Sequence, residues 1–368
     1  MNGSPDIKKF FPTGVGAALS AAILFGFSTP LSKLLLSEVS PVLLAGLLYL
    51  GSGIGLSLVG FVRRFAATAS TPSAEAALTR RDFPALAGAV FFGGVLGPLL
   101  LMLGLHATPA STASLLLNME GVFTALLAWF VFRENFDKRI AFGMALIVAG
   151  GVLLSWQGTG NFSLPLGSLA VLGACLCWGV DNNFTQKVSG GDPVQIAAIK
   201  GLTAGAVNTA IAFALGASWP AMKVLSGAMA VGFAGYGLSL VLFVLALRHI
   251  GTARTGAYFS IAPFVGAAVA IFLFREIINP LFLAAGVLMA LGVWLHLTER
   301  HEHEHRHERQ QHSHRHVHDV HHQHVHPPGV NPAEPHTHEH THEPMTHSHP
   351  HFPDIHHRHA HEVMELAN

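Results

Sequence analysis

Charge is scarce in this chain. Only 11% of its 368 residues are Asp, Glu, Lys or Arg, and 51% are hydrophobic, whereas soluble globular chains carry roughly 25% charge. That balance excludes an ordinary water-soluble domain and points to a bilayer as solvent. Cysteine is nearly absent. Cys175 and Cys177 stand two apart inside an apolar run, a spacing that excludes a disulfide framework and suits small buried residues. There is no excess of either charge, with 21 Lys+Arg against 21 Asp+Glu, and no basic patch interleaved with aromatics, so nucleic acid is excluded as a partner. No HExxH and no nucleophile–base constellation appears, so no enzyme is expected.

What is present is a series of apolar stretches of about 20 residues, the length that crosses a hydrocarbon core. They predict ten transmembrane helices near 14–36, 40–62, 83–105, 109–132, 138–156, 165–187, 193–216, 225–247, 252–274 and 280–298. The run from Gly14 to Leu36 exceeds a signal-peptide core and is retained as the first span. Small residues recur inside the spans, as in GSGIGLSLVG (51–60) and AGAVFFGGVLG (87–97), and permit close helix packing where lipid offers no hydrophobic drive. Basic residues gather in alternate short loops: Lys8 and Lys9; Arg63, Arg64, Arg80 and Arg81; Arg133, Lys138 and Arg139; Lys187; Arg248. The other side has chiefly Lys33, Lys223 and Arg275. Both termini are therefore expected in the cytoplasm, with the protein in the inner (plasma) membrane.

The chain also matches itself. A shift of 142 lays Leu103, Leu105, Ala125, Ala128, Phe130, Phe132, Arg133 and Glu134 on Leu245, Leu247, Ala267, Ala270, Phe272, Phe274, Arg275 and Glu276, and Gly150 on Gly292. A shift of about 153 lays LFGFSTP (24–30) on CWGVDNN (177–183), and after one gap Pro41 meets Pro193. A duplicated unit with an odd number of spans inserts its second copy upside down. The expected fold class is thus an all-α membrane protein of two inverted five-helix repeats. Its parts are a cytoplasmic N-terminus (1–13), a first repeat (14–156), a second repeat (165–298) and a disordered cytoplasmic tail (299–368).

Over roughly residues 14–298 the chain resembles the drug/metabolite transporter superfamily, specifically members with two EamA domains. The resemblance rests on Phe25–Gly26 and Trp178–Gly179 near the middle of each half's first span. It rests also on the small-residue fourth span, ATPASTASLLLNMEGVFTALLAWFVFREN, and its copy, GTARTGAYFSIAPFVGAAVAIFLFREI. One departure stands out: the second copy has the family's mid-span proline at Pro263, but the first reads Glu120–Gly121. The resemblance implies alternating-access transport and no particular substrate, since the family moves amino acids, nucleotides, sugars and amphipathic drugs.

Ionisable groups at bilayer depth are costly and mark substrate or proton paths. Glu120 lies mid-span beside Asn118, with no basic neighbour within a helical turn. Asp181, Asn182 and Asn183 follow Trp178 in the sixth span, three consecutive polar side chains that cannot all face lipid and that predict a local helix break. The matching Ser28, Thr29 and Pro30 predict a kink in the first half. Glu120, Asn118, Asp181, Asn182, Asn183 and Trp178 are the candidate substrate-binding residues. Lys200 and Arg254 are expected to snorkel toward the cytoplasmic ends, and Asn208, Tyr49 and Tyr258 to serve helix packing.

Between His301 and His361 stand 23 of the 26 histidines, many as H-x-H. With few apolar residues and seven prolines between 327 and 353, the tail has too little apolar surface to offset the entropy of ordering. His301, His303, His305, His307, His312, His314, His316, His318, His336, His338, His340 and His342 are the candidate metal ligands. Neutral imidazoles suit zinc, nickel, cobalt or copper(II), and the lack of Cys argues against copper(I).

Two readings compete. In the first, a secondary transporter, most simply an exporter driven by proton exchange, moves a small metabolite or drug, requires no cofactor, and carries a tail that binds Zn, Ni or Co. In the second, a divalent metal is itself the cargo, with Glu120, Asn118, Asp181, Asn182 and Asn183 as an oxygen-rich transit site and the tail collecting ions for efflux. The expected partners are the lipid bilayer, a small-molecule or ion substrate, and divalent metal at the tail; oligomeric state is not legible.

Overall fold

The computed structural model describes residues 13–66, 78–132, 138–155, 165–189, 191–298, 302–307, 310–316, 336–342 and 345–350, the last four segments by their backbone alone. The first half comprises α1 (Thr13–Leu35), α2 (Pro41–Ala66), α3 (Phe83–Ala89), a π-helical segment (Val90–Leu96), α4 (Gly97–Ala107), α5 (Ala110–Leu116), α6 (Met119–Phe132) and α7 (Lys138–Ser155). The second comprises α8 (Leu166–Val188), α9 (Pro193–Ala214), α10 (Met222–Val231), a second π-helical segment (Gly232–Leu238), α11 (Ser239–Phe259), α12 (Ala262–Phe274) and α13 (Pro280–Leu297). Local chemistry sets several starts. The Asp192 carboxylate accepts from Val194 N at 2.8 Å ahead of Pro193, and the Asn279 side chain accepts from Phe282 N at 2.8 Å ahead of Pro280. Each is a capping side chain followed by a first-turn proline.

Among the described residues, seven helical stretches are long and apolar enough to cross a membrane, and two more, Arg139–Ser155 and Pro280–His296, are apolar but shorter. α8, which carries Asp181, Asn182, Asn183 and Lys187, lies outside that count. The chain is a multi-pass membrane protein.

The self-match recurs in the elements. An offset of 153 carries Thr13–Leu35 onto Leu166–Val188. An offset of 142 carries the first π-segment onto the second, and Lys138–Ser155 onto Pro280–Leu297. Packing follows the same correspondence. α2 lies on its counterpart α9, and α7 on its counterpart α13; α1 packs on α11 and α12 as α8 packs on α4 and α6. This reciprocity is that of a two-fold interface. At the α2–α9 crossing the backbones touch: a Cβ on Gly53 would lie 2.3 Å from Leu202 N, and one on Gly201 2.5 Å from Gly53 N.

Three expectations need correction. α8 runs unbroken through Asp181–Asn183 because those side chains bond within the helix: Asn183 Nδ2 donates to Gly179 O at 2.8 Å, and Thr185 Oγ1 to Asp181 Oδ1 at 2.9 Å. α1 also runs on through Pro30, which a kink does not prevent. The interruptions fall in the fourth span of each half, at 117–118 and 260–261. In the first copy no proline causes this; Asn118 Nδ2 donates to Leu115 O at 3.0 Å and its own N–H to the same carbonyl at 3.0 Å, a local competition that closes a turn. Second, the corner expected at 248–251 is helical, since α11 runs through it. Pro109 holds Thr108 extended (φ −128°, ψ 145°) at the corresponding corner of the first half, whereas the second copy has Gly251 there and no ring to stop the helix.

Third, the tail expected to be disordered contains, among its described residues, β1 (Glu302–His307), β2 (Gln310–His316), β3 (His336–His342) and β4 (Met345–Pro350), with β1 antiparallel to β4 and β2 to β3. Its alternating H-x-H composition has the period of a strand.

Candidate functional site

The two halves meet around a cavity of about 60 Å³. Its aromatic wall is built on the repeat. Phe25 of α1 and its counterpart Trp178 of α8 touch edge to face, centroids 5.6 Å apart at 78°. Phe25 also packs on Tyr236 at 5.7 Å and on Phe259 at 5.4 Å. The glycines that follow these two aromatics let the helices close in. A Cβ on Gly26 would meet Ala262 O at 2.6 Å, and one on Gly179 would meet Phe123 Cβ at 3.0 Å.

The first π-segment supplies the polar floor. Its wider winding frees backbone carbonyls that an α-helix would bind. Gly93 O accepts from Tyr49 Oη at 2.7 Å and Trp178 Nε1 at 3.0 Å, and Gly94 O from Asn208 Nδ2 at 3.2 Å. Against this floor Lys200 Nζ forms an ion pair with Asp181 Oδ2, both residues buried at 2% and 5% exposure. The carboxylate needs the missing side chain of Gly93, where a Cβ would fall 1.9 Å from Asp181 Oδ2. Across the cavity Glu120 Oε1 accepts from Asn182 Nδ2 at 2.8 Å. Among the lining residues, Glu120 and Asp181 face a single cation, Lys200, so one carboxylate has no cationic partner in the site. Tyr236 also lines the cavity, and its buried hydroxyl lies beside Ser28 and Ser32 without a well-formed hydrogen bond.

Of the six candidate substrate residues, Glu120, Trp178, Asp181 and Asn182 line the cavity. Asn118 and Asn183 do not; both are buried, Asn118 Nδ2 donating to Leu115 O at the end of α5, and Asn183 Nδ2 to Gly179 O in α8 and Thr124 O in α6. Lys200 does not snorkel, because Asp181 sits on the facing helix and holds it inside. Arg254 is exposed. Tyr49 lines the cavity in addition to packing there, whereas Asn208 serves packing alone among the described contacts. Tyr236, Ser239, Leu240, Phe243 and Phe259 also line it. The one sequence signal for this group was that GFAGYGL repeats the glycine-rich VFFGGVL of the first half. Among residues whose side chains are described, no group of three or more His, Cys, Asp or Glu is arranged to hold a metal. His301 and His318 lie outside the described residues.

At one end of the bundle two charges secure the corner between α4 and α5. Lys33 Nζ donates to the carbonyls of Leu105 at 2.5 Å, His106 at 3.1 Å and Thr108 at 3.0 Å. Glu276 accepts from Ala110 N at 2.9 Å, from Ser111 N at 3.1 Å and from the Ser111 hydroxyl. A cation thus meets a helix C-terminus and an anion a helix N-terminus, and both charges come from segments distant in sequence. Because Ala110 and Ser111 are buried, Glu276→Ala leaves two N–H groups unpaired. It is expected to cost about 1–3 kcal/mol, read as a lower melting temperature of the detergent-solubilised protein.

A multi-pass bundle with duplicated elements and a polar, aromatic-walled cavity between the copies has the build of a membrane transporter. The EamA-like transporter family matches residues 12–156 and again 165–298, and the chain belongs to that family. An uncharacterised transporter of Methanothermobacter thermautotrophicus is 31% identical over 297 residues, covering 77% of this chain and 85% of its own. The probable 4-amino-4-deoxy-L-arabinose-phosphoundecaprenol flippase subunit ArnE of Pseudomonas fluorescens is 37% identical over 110 residues, covering 30% of this chain and 96% of its own. A probable amino-acid metabolite efflux pump of Salmonella typhimurium is 27% identical over 173 residues, covering 46% of this chain and 52% of its own. A solved crystal structure superposes with a TM-score of 0.58 at 16% identity, over 77% of this chain and 95% of that one, a likeness of fold.

Proposed function

We propose that this protein is a secondary transporter, not an enzyme, which exports a small metabolite or drug by alternating access and exchanges a proton at Glu120. The observation that carries this reading is the cavity where Phe25 and Trp178 meet, with Glu120 as a carboxylate unmatched by a cation. A space of about 60 Å³ holds only a few waters, so a metabolite requires its walls to part. Reciprocal packing of the two halves supports ten spans in two inverted repeats, since such repeats rock about a shared site. The distribution of Lys and Arg supports an inner-membrane location with both termini cytoplasmic, and the names of the flippase-subunit and efflux-pump relatives agree with small-molecule export. No cofactor is needed for this cycle, and the tail binds Zn, Ni or Co as an accessory.

The metal-cargo reading has weaker support. Asp181 is neutralised by Lys200, and Asn118 and Asn183 are not among the residues lining the cavity, so the cavity side chains left for an oxygen-rich transit site reduce to Glu120 and Asn182. Reconstituted vesicles decide between the two. A panel of labelled amino acids and amphipathic dyes, with zinc, nickel and cobalt in parallel, is assayed on the parent, a tail-less 1–299 form and Leu240→Trp. Leu240 lines the cavity, and an indole there fills it. The expected result is flux of an organic substrate that survives tail removal and falls at least about tenfold in Leu240→Trp, since overfilling a packed site displaces its occupant. Parental flux in a folded Leu240→Trp protein rules the cavity out as the path; metal flux in place of organic flux establishes the second reading.

A further inference from the structure

The tail strands share one register. β1 pairs Glu302 with Pro350 and His307 with Met345; β2 pairs Gln310 with His342 and His316 with His336. In every pair the two residue numbers add to 652, as they do along a single hairpin. This register sets His303 opposite His349, His305 opposite His347, His312 opposite His340, His314 opposite His338 and His316 opposite His336.

The sequence itself carries the same correspondence. In the first arm the histidines are odd-numbered up to His307 and even-numbered from His312; in the second they are even-numbered up to His342 and odd-numbered from His347. Both arms change parity at places that face each other in the register, because His307 pairs with Met345 and Gln310 with His342. Two arms of unrelated histidine strings would have no reason to switch together.

Residues directly opposite in an antiparallel pair share a face, with Cβ atoms about 4.5–5.5 Å apart, and the next pair on that face lies about 7 Å along the strand. A histidine pair placed opposite in the register therefore brings two nitrogen donors to one place on the ribbon, and two successive pairs bring the four that a tetrahedral zinc site takes. The parity switch puts the two sets on opposite faces of a common hairpin: His303, His305, His347 and His349 on one, and His312, His314, His338 and His340 on the other.

We propose that the tail is a β-hairpin clasped by borderline divalent cations of the Zn, Ni and Co class, held between facing histidine pairs on its two faces. It rests on the reading of the tail as metal-binding and adds to it a defined geometry. Chelation fixes the register, because a slip of one residue sends one arm's histidines to the other face. The metal in turn supplies the cross-strand link that a two-stranded ribbon of polar residues otherwise lacks.

The test uses the full chain in nanodiscs, with zinc and cobalt as probes. Spin labels at Ser313→Cys and Glu339→Cys, which face each other on the side away from the neighbouring histidines, should give a narrow distance distribution below about 2 nm when zinc is added. A parity-swapped form (His336→Thr, Thr337→His, His338→Glu, Glu339→His, His340→Thr, Thr341→His) keeps the histidine count, removes the facing pairs between β2 and β3, and leaves those between β1 and β4. It should bind about half as much cobalt tightly, with about half of the intense visible bands of four-coordinate cobalt. Equal tight binding by the parent and the swapped form with no narrowing overturns the hairpin and leaves a string of independent chelators. No binding by either form overturns the metal-binding reading of the tail as well.

Discussion

Lys200→Met is expected to destabilise the protein by about 3–5 kcal/mol, the cost of stranding one member of a buried ion pair. Asp181 would keep its hydrogen bond from Thr185 at 2.9 Å but lose its only ionic partner among the described residues, in a pocket 5% exposed. The pair itself has no such worth, since a buried ion pair replaced by apolar residues of similar volume is often neutral or stabilising. Lys200→Met combined with Asp181→Leu should therefore recover most of the lost melting temperature, and the double-mutant cycle should show strong coupling. Flux should not return with stability, because the charged pair in the cavity wall is gone. Melting curves in detergent and flux in vesicles, measured on the same three variants, separate the two effects. A single Lys200→Met protein as stable as the parent would contradict the buried contact.

Much of the architecture was legible because two different periodicities spoke for it. Apolar runs of bilayer length marked the seven helical stretches that, among the described residues, are long and apolar enough to cross a membrane, and the 142 and 153 offsets of the sequence recur in the helices. What was not legible was the winding inside the spans. Asn182 and Pro30 look like helix breakers by propensity, yet their helices continue, because a membrane helix cannot give up backbone hydrogen bonds to solvent and neighbouring side chains satisfy what is freed. The π-segments at Val90–Leu96 and Gly232–Leu238 have only glycine clusters as a signature, and glycine clusters also mark ordinary close packing.

The site divides in the same way. Glu120, Asp181 and Trp178 announced themselves by being polar or amphipathic at bilayer depth, a signal that needs no partner to be seen. Lys200 carried the same signal and was assigned to snorkelling because helix position alone does not reveal what faces it; the deciding fact is that Asp181 lies across from it on α8. Lys33 and Glu276 were visible as charges, but their task of holding the ends of α4 and α5 depends on a corner far away in sequence. Tyr236 and Phe259 resembled routine aromatic packing, and only convergence on Phe25 places them in the wall.

Glu120→Gln should leave the fold nearly untouched and remove the response to a pH gradient. The amide oxygen can still accept from Asn182 Nδ2, which lies 2.8 Å from Glu120 Oε1, so the geometry persists and the expected stability change is within about 1 kcal/mol. What disappears is the one cavity carboxylate without a cationic partner. If Glu120 exchanges a proton during transport, the ratio of flux with and without an inward proton gradient should fall from well above one to about one in the variant, because a neutral amide has no proton to exchange. Substrate-binding calorimetry in two buffers of different ionisation enthalpy should show protons moving with the parent and none with the variant. Glu120→Asp keeps the charge but draws it back from Asn182 by one methylene, and should retain gradient dependence at reduced rate. A Glu120→Gln protein that still concentrates substrate against the same gradient would move the proton step elsewhere, and Asp181 would then be the group to examine, since it is the other carboxylate in the wall.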